Sequence, residues 1–125
     1  MVHIPLPGQP VRGSQSGKPL MALFDLLGRR WAMGVLWQLC VGGACTFREL
    51  QARCETISPA VLNARLNELR QAQLIERGES GYQTTALGAQ VITALHPLKD
   101  LAELWTQQLR QTSSNEAGSA ENPTA

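Results

Sequence analysis

Small and polar residues that can bond to nucleobases recur at helical spacing in the middle of this chain. They lie in the segment ISPAVLNARLNELR, between apolar residues. Asparagine amides bond the adenine edge and serine hydroxyls bond several bases, so the pattern favours a helix that reads the major groove of DNA. A solvated helix face is the alternative interpretation. The predicted base-facing residues are Ser58, Pro59, Ala60, Asn63, Ala64 and Asn67.

Basic side chains flank this segment, where they would contact phosphates rather than bases. The region from Thr46 to Tyr82 carries five arginines but also five acids. A positive surface therefore requires Glu49, Glu55, Glu68 and Glu76 to be turned away or neutralised. The further predicted DNA contacts are Arg48, Arg65, Arg70, Arg77 and Ser80.

Two helices and a turn position these residues. Thr46 with Glu49 forms a capping-box signature that opens the first helix, and residues 53–57 form the turn. Ser58 as N-cap and Pro59 at the first helical position open the second helix. One face of that helix is predicted to be buried through the i, i+4, i+7 residues Leu62, Leu66 and Leu69.

A short β-hairpin follows the second helix. Residues 74–77 form one strand, residues 78–81 the turn, and residues 82–84 the return strand. Strands this short must lean on the helices. We therefore predict a mainly α-helical winged helix-turn-helix with a small β-hairpin wing.

Four sequence stretches resemble the HxlR branch of winged-helix transcription regulators, and the broader MarR-like architecture less closely. They are LLGRRW, TFREL, ISPAVLNARLNELRQAQLIERG and Y-x-T-T-A-L-G, within roughly Leu20 to Leu109. The resemblance implies a bacterial, dimeric, double-stranded-DNA-binding regulator. We expect a homodimer acting on an inverted-repeat operator, as a repressor that competes with polymerase, although activation stays open.

Two features depart from the family pattern. Family wings are longer and often basic at the tip, whereas this one presents Glu79 and Ser80. Some relatives sense oxidants or electrophiles through a cysteine just before the first helix, a place held here by Gly17-Lys18-Pro19. Cys54, in the turn before the second helix, is the candidate redox residue. We prefer the interpretation that Cys54 is a small, partly buried residue that packs within a tight turn.

Outer helices extend the unit on both sides. Apolar spacing predicts helices over residues 20–27 and 30–40, one capped by Thr85, and one opened by Pro97. Their apolar surface exceeds what a small core needs, so we expect dimerisation through the N-terminal and C-terminal helices. Residues 1–17 are predicted to be a flexible arm, residues 18–111 the folded domain, and residues 112–125 a disordered tail.

Other functional classes find little support. The chain has no phosphate loop, nucleophile elbow or zinc-type spacing, so we expect no enzyme, cofactor or metal site. No apolar run approaches the ~18 residues that a membrane span requires. Together with the absence of a signal-peptide pattern, this predicts a cytoplasmic protein without membrane contact.

Two alternatives stay open. The winged helix could bind a protein instead of DNA, which the net charge of +1 would permit. An apolar pocket at the dimer interface could also bind a small-molecule effector. The residues predicted for this pocket or interface are Leu23, Phe24, Trp31, Trp37, Leu101 and Trp105.

Overall fold

The computed structural model of the protein describes residues 4–121, with side chains described through residue 116. Within that range the chain forms two compact units, one ending at Ile92 and one beginning at Thr93. The predicted winged helix-turn-helix is confirmed by the order of elements: α1 (Pro19–Leu27), α2 (Ala32–Gly42), α3 (Phe47–Arg53), α4 (Pro59–Gln71), β1 (Ile75–Gly78), β2 (Gly81–Thr84), α5 (Ala86–Leu95) and α6 (Pro97–Glu121).

Helix α2 lies at the centre of the first unit, where it packs against α1, α3, α4 and β2. Its buried residues meet the predicted apolar stripe of α4, whose three leucines are at most 1% exposed. Each buried leucine stabilises the fold by about 1.5–3 kcal/mol. This core holds α4 by one face and leaves the other face free. The residues are Val35, Leu36, Leu39, Leu62, Leu66 and Leu69.

Both helix starts around the turn are confirmed. The Glu49 amide donates to Thr46 Oγ1 at 3.2 Å, and the Thr46 amide donates to Glu49 Oε1 at 3.2 Å. Ser58 Oγ accepts from the Val61 amide at 3.2 Å. These bonds satisfy amides that otherwise have no partner in the first turn. These local hydrogen bonds therefore define where α3 and α4 begin.

The hairpin is tighter than predicted. Gly78 pairs with Gly81, so the loop contains Glu79 and Ser80 rather than four residues. Tyr82 also exchanges two backbone hydrogen bonds with Cys45, just before α3. At Gly81, with φ of +113°, a Cβ would lie 2.2 Å from the Cys45 carbonyl oxygen. Glycine is therefore required where the wing docks on the helices.

Helix α1 ends before Gly28 as predicted, but α2 begins two residues later than predicted. Trp31 has a φ of +75°, in the left-handed region, and forms the N-cap of α2. A helix cannot continue through that conformation. Arg30 and Trp31 consequently belong to the connection between α1 and α2.

Residues 4–17 of the predicted flexible arm adopt a defined conformation in the structure. Ile4 and Pro5 are buried, and Val11 pairs with Ser14 in a short antiparallel bridge. The Gly8 amide donates to the Gly17 carbonyl at 2.9 Å. Proline and apolar side chains pack against α1, so the segment gains burial that its composition alone did not reveal. Residues 1–3 lie outside the described residues.

Helix α6 continues through Glu121, past residue 112, where the predicted disordered tail begins. Extending an existing helix adds one hydrogen bond per residue, whereas starting a helix is costly. No proline interrupts this stretch before Pro123. The last four residues lie outside the described range. Within residues 4–121, no helix combines the length and apolar character needed to span a bilayer.

Candidate DNA-binding interface

The predicted base-facing surface of α4 is presented to solvent. Besides the N-cap Ser58, four of its residues are exposed, and Ala64 is half-buried. The side chains of Asn63 and Asn67 make no hydrogen bond within the described residues, so their amides are available to a ligand. The exposed members are Pro59, Ala60, Asn63 and Asn67. We call this surface the α4 outer face.

Helical spacing extends the α4 outer face by one residue. Gln71 lies four positions after Asn67 and is also exposed. Gln71 was not among the predicted residues, although the i, i+4 spacing alone identifies it. Ser58, at the opposite end, uses its hydroxyl oxygen as the N-cap acceptor and retains its O–H for donation.

A buried carboxylate holds α4 from behind. Glu68 is 3% exposed, and its side chain accepts from Arg29 Nη1 at 3.0 Å and from Arg65 Nη1 at 2.6 Å. Arg65 Nε also donates to the Arg30 carbonyl at 2.8 Å. These bonds tie α4 to the connection between α1 and α2. We call Arg29, Arg65 and Glu68 the ion triad.

The ion triad includes Arg65, a predicted phosphate contact. Its side chain is 18% exposed and bonded to Glu68 and Arg30, so it is not a free cation for phosphates. Arg29 was not among the predicted residues, and its partner lies 39 residues away. No local signal in the LLGRRW stretch identifies that partner. The expected neutralisation of Glu68 is confirmed by the same contacts.

The other predicted cations and Ser80 are exposed. Arg48 lies on α3, Arg70 on the last turn of α4, and Arg77 on β1. The Arg77 guanidinium carbon is 5.1 Å from the centre of the Tyr82 ring, a cation–π contact that orients the side chain. Ser80 shares the hairpin tip with Glu79.

Two other acids are occupied by local bonds. Hydrogen bonds from Thr46 hold the pKa of the Glu49 carboxyl below its usual range, so it stays charged within the capping box. Glu76 accepts from Gln83 at 3.0 Å across the hairpin. Glu55 is exposed in the turn with a φ of +59°. Among the described residues, no ion pair or side-chain hydrogen bond neutralises its carboxylate.

The predicted effector residues do not gather around one cavity of the first unit. Trp31, the N-cap of α2, and Trp37, in the middle of α2, are half-buried. Phe24 on α1 is 56% exposed. Leu101 and Trp105 belong to the second unit, where both are exposed. Of the six predicted residues, only Leu23 lines an apolar cavity found in the first unit.

The cysteines are free thiols. Burial raises the pKa of the Cys54 thiol, the neighbouring Cys45 adds to the rise, and Arg53 opposes it. A raised pKa leaves little nucleophilic thiolate near neutral pH. This supports the interpretation of Cys54 as a buried filler. Among the described residues, no group of three or more His, Cys, Asp and Glu side chains could hold a metal ion.

Solved structures with the same architecture include a bacterial regulator in several states. The quinone-bound YodB from B. subtilis is 30% identical, with a TM-score of 0.58, covering 71% of this chain and 96% of that chain. The reduced form of YodB is 31% identical, with a TM-score of 0.55, covering 72% and 91%.

An archaeal structure supports the fold alone. A possible HxlR family transcriptional factor from Thermoplasma volcanium GSS1 is 24% identical, with a TM-score of 0.64, covering 72% of this chain and 86% of that chain. The search of curated proteins gave no significant match.

Residues 26–110 match the family described as HxlR-like helix-turn-helix. The matched range includes α2, the turn between α3 and α4, the α4 outer face and the wing. The chain therefore belongs to the HxlR family of DNA-binding helix-turn-helix transcriptional regulators.

Proposed function

We propose that this HxlR-type regulator binds an inverted-repeat operator as a homodimer and acts as a repressor. The α4 outer face is the observation that carries the proposal. Asn63 and Asn67 present free amides, while buried leucines and the ion triad hold the opposite side of the helix. A rigidly held helix with free amides suits base recognition, because its groups are already oriented.

Phosphate contacts are assigned to the exposed cations and to the helix termini. Arg48 and Arg77 are free of ion pairs among the described residues, and Arg70 is exposed on the last turn of α4. The acidic Glu79 at the hairpin tip repels phosphate, so we expect little binding energy from the wing. Affinity then rests on α4 and its neighbours, within a near-neutral chain.

The homodimer is supported by apolar surface that the single chain leaves exposed. Leu20 and Phe24 on α1 are each 56% exposed. One side of α6 carries five large apolar residues that are 53–64% exposed: Leu98, Leu101, Leu104, Trp105 and Leu109. A two-fold pair would place two α4 helices about 34 Å apart, which requires an operator with two-fold symmetry. The proposed location is the cytoplasm, where such a regulator reaches DNA.

The test measures binding to the DNA upstream of the protein's own gene, with random duplex as control, at two salt concentrations. We expect preference for the upstream fragment and steep weakening with salt, because phosphate neutralisation releases counterions. A folded dimer that binds neither DNA would contradict the proposal and favour protein contact. Binding that is insensitive to salt would also contradict it.

A small-molecule effector is a second candidate function. YodB, at 30% identity, has been solved with quinone bound, and residues of this chain surround an apolar cavity. Covalent sensing through Cys54 receives no support, since the thiol is 6% exposed with a raised pKa. Reversible binding in an apolar site is the form of effector function that the geometry favours.

A further inference from the structure

An apolar cavity lies within the first unit, between the N-terminal segment, α1, the end of α4 and α5. Its volume is about 230 Å³. Every lining residue is apolar, and none carries a charge or a side-chain hydrogen-bonding group. They are Pro5, Leu6, Pro7, Pro19, Ala22, Leu23, Leu26, Ala72, Leu74, Leu87 and Val91. We call this space the proline-walled cavity.

We propose that the proline-walled cavity binds a small uncharged molecule, mainly hydrocarbon, with about one aromatic ring. An apolar cavity of about 150 Å³ in another protein stays dry and binds benzene. A cavity of about 230 Å³ therefore accommodates a ring with short apolar substituents. A charged group is excluded because the walls offer it no partner and burial would cost its hydration.

Burial separates the floor of the cavity from its mouth. Ala22, Leu26 and Leu74 are at most 3% exposed and form the floor. Pro7 and Leu87 are exposed and border the mouth. A ligand can therefore reach the floor from solvent without unfolding the core.

The proline wall is built to stay open. Pro5, Pro7 and Pro19 have fixed φ angles and short rings, so these side chains cannot rotate inward to fill the space. Hydrogen bonds that do not involve the cavity hold the segment in place. Gln9 Nε2 donates to the Ile4 carbonyl, and the Lys18 amide donates to Ser14 Oγ at 3.0 Å.

Glycine secures the same segment. Gly17 has a φ of +71°, and a Cβ there would lie 2.2 Å from the Gln9 carbonyl oxygen. Residues 4–17 lie outside the family match, which begins at residue 26. The wall they form is therefore a feature of this chain rather than of the matched family region. The inference rests on the effector function proposed above and not on DNA binding, so operator binding and ligand binding can each fail without the other.

Toluene is the probe, with benzoate as its charged counterpart, followed by amide NMR of the full chain. We expect toluene to shift amides of α1 and α5 next to the cavity, while benzoate at equal concentration does not. Toluene shifts that are absent, or that are confined to other surfaces, would overturn the proposal. Contacts from a second copy filling the cavity in the dimer would also overturn it.

A matched pair of variants sharpens the test. Val91→Phe fills the cavity, whereas Val41→Phe makes the same change at a site that is 62% exposed and does not line it. We expect Val91→Phe to weaken toluene binding by about tenfold or more, and Val41→Phe to leave it unchanged. Equal toluene affinity in both variants would contradict the assignment.

A second blocking variant covers the case in which Val91→Phe disturbs folding. Leu87 is 52% exposed at the mouth, so Leu87→Trp adds bulk without overpacking the floor. We expect the Leu87→Trp variant to keep the thermal unfolding midpoint and to lose toluene binding. Unchanged toluene affinity in this folded variant would overturn the proposal.

Discussion

Glu68 on α4 accepts a hydrogen bond at 3.0 Å from Arg29, which lies 39 residues earlier in the connection between α1 and α2. The Glu68 side chain is 4% exposed, and that of Arg29 is 23% exposed. A buried carboxylate with two arginine partners is costly to disrupt, because removal of one ion leaves the others desolvated and unpaired. The pair therefore fixes how α4 sits against the core.

Replacement of the carboxylate tests this relationship. Glu68→Gln is expected to lower the free energy of unfolding by about 3 kcal/mol, near the low end for a broken buried pair because the Arg29 and Arg65 side chains are 23% and 18% exposed to water. Urea unfolding measures the change. Glu55→Gln, at an exposed site, is the matched control and should change stability by less than about 0.5 kcal/mol. Equal effects of the two variants would contradict the structural role.

Base recognition by the α4 outer face predicts separate effects for an amide and a cation. Asn63→Ala should weaken operator binding by about 1–3 kcal/mol while leaving random-duplex binding nearly unchanged, because the amide bonds base edges. Arg48→Ala should weaken binding to both DNAs alike, since phosphate contacts carry no sequence information. Fluorescence anisotropy on the two duplexes measures this. Equal losses on both duplexes for Asn63→Ala would exclude the base contact.

Sequence reasoning predicts those parts of the fold that depend on nearby residues. The caps at Thr46 and Ser58 and the buried stripe of α4 depend on neighbours within one or two helical turns. The start of α2 was predicted wrongly, because the left-handed conformation of Trp31 follows no rule of sequence periodicity.

Contacts between distant residues limited the prediction of the site. The spacing of Asn63 and Asn67 placed them correctly on an exposed face. The residues next to Arg65 in the sequence do not distinguish it from an exposed arginine. Only its contacts with Glu68 and Arg30 show that its side chain is paired. The conformation of the N-terminal segment could not be predicted for the same reason, since its place against α1 depends on contacts such as that of the Arg12 amide with Asp25 rather than on its own composition.

The capping box predicts a pH dependence. Hydrogen bonds from Thr46 lower the folded-state pKa of Glu49, so its contribution to stability is present above the unfolded pKa and is lost as pH falls through the folded pKa. The stability difference between wild type and Glu49→Gln should therefore shrink as the solution is acidified. Thermal unfolding midpoints across the acidic range measure it. A difference that stays constant with pH would contradict the charged cap.

Thiol burial predicts the order of cysteine modification. Cys40 is half-buried, whereas Cys45 and Cys54 are 1% and 6% exposed and have raised pKa values because of burial. Iodoacetamide should therefore alkylate Cys40 first, and the other two only after denaturant is added. Peptide mass spectrometry over time reads the order. Early modification of Cys54 in the folded protein would restore it as a sensor candidate.

The exposed side of α6 predicts a variant that separates dimerisation from folding. Leu101 is 55% exposed in the single chain, so a charge there costs the monomer little. In the proposed dimer it would be buried, and each lost leucine contact is worth about 1.5–3 kcal/mol, so Leu101→Glu should weaken dimerisation by more than about tenfold. Gln107→Glu, about a third of a turn from Leu101 around α6 and not one of its large apolar residues, is the matched control.

Sedimentation velocity over a dilution series measures dimerisation, and binding to one-site and two-site duplexes measures its consequence. The Leu101→Glu variant should bind a single half-site like wild type but lose the gain from two linked sites, because the second contact is no longer held at high local concentration. A dimer that survives in this variant would place the interface elsewhere. Loss of single-site binding would instead indicate that α6 supports the fold of the DNA-binding unit.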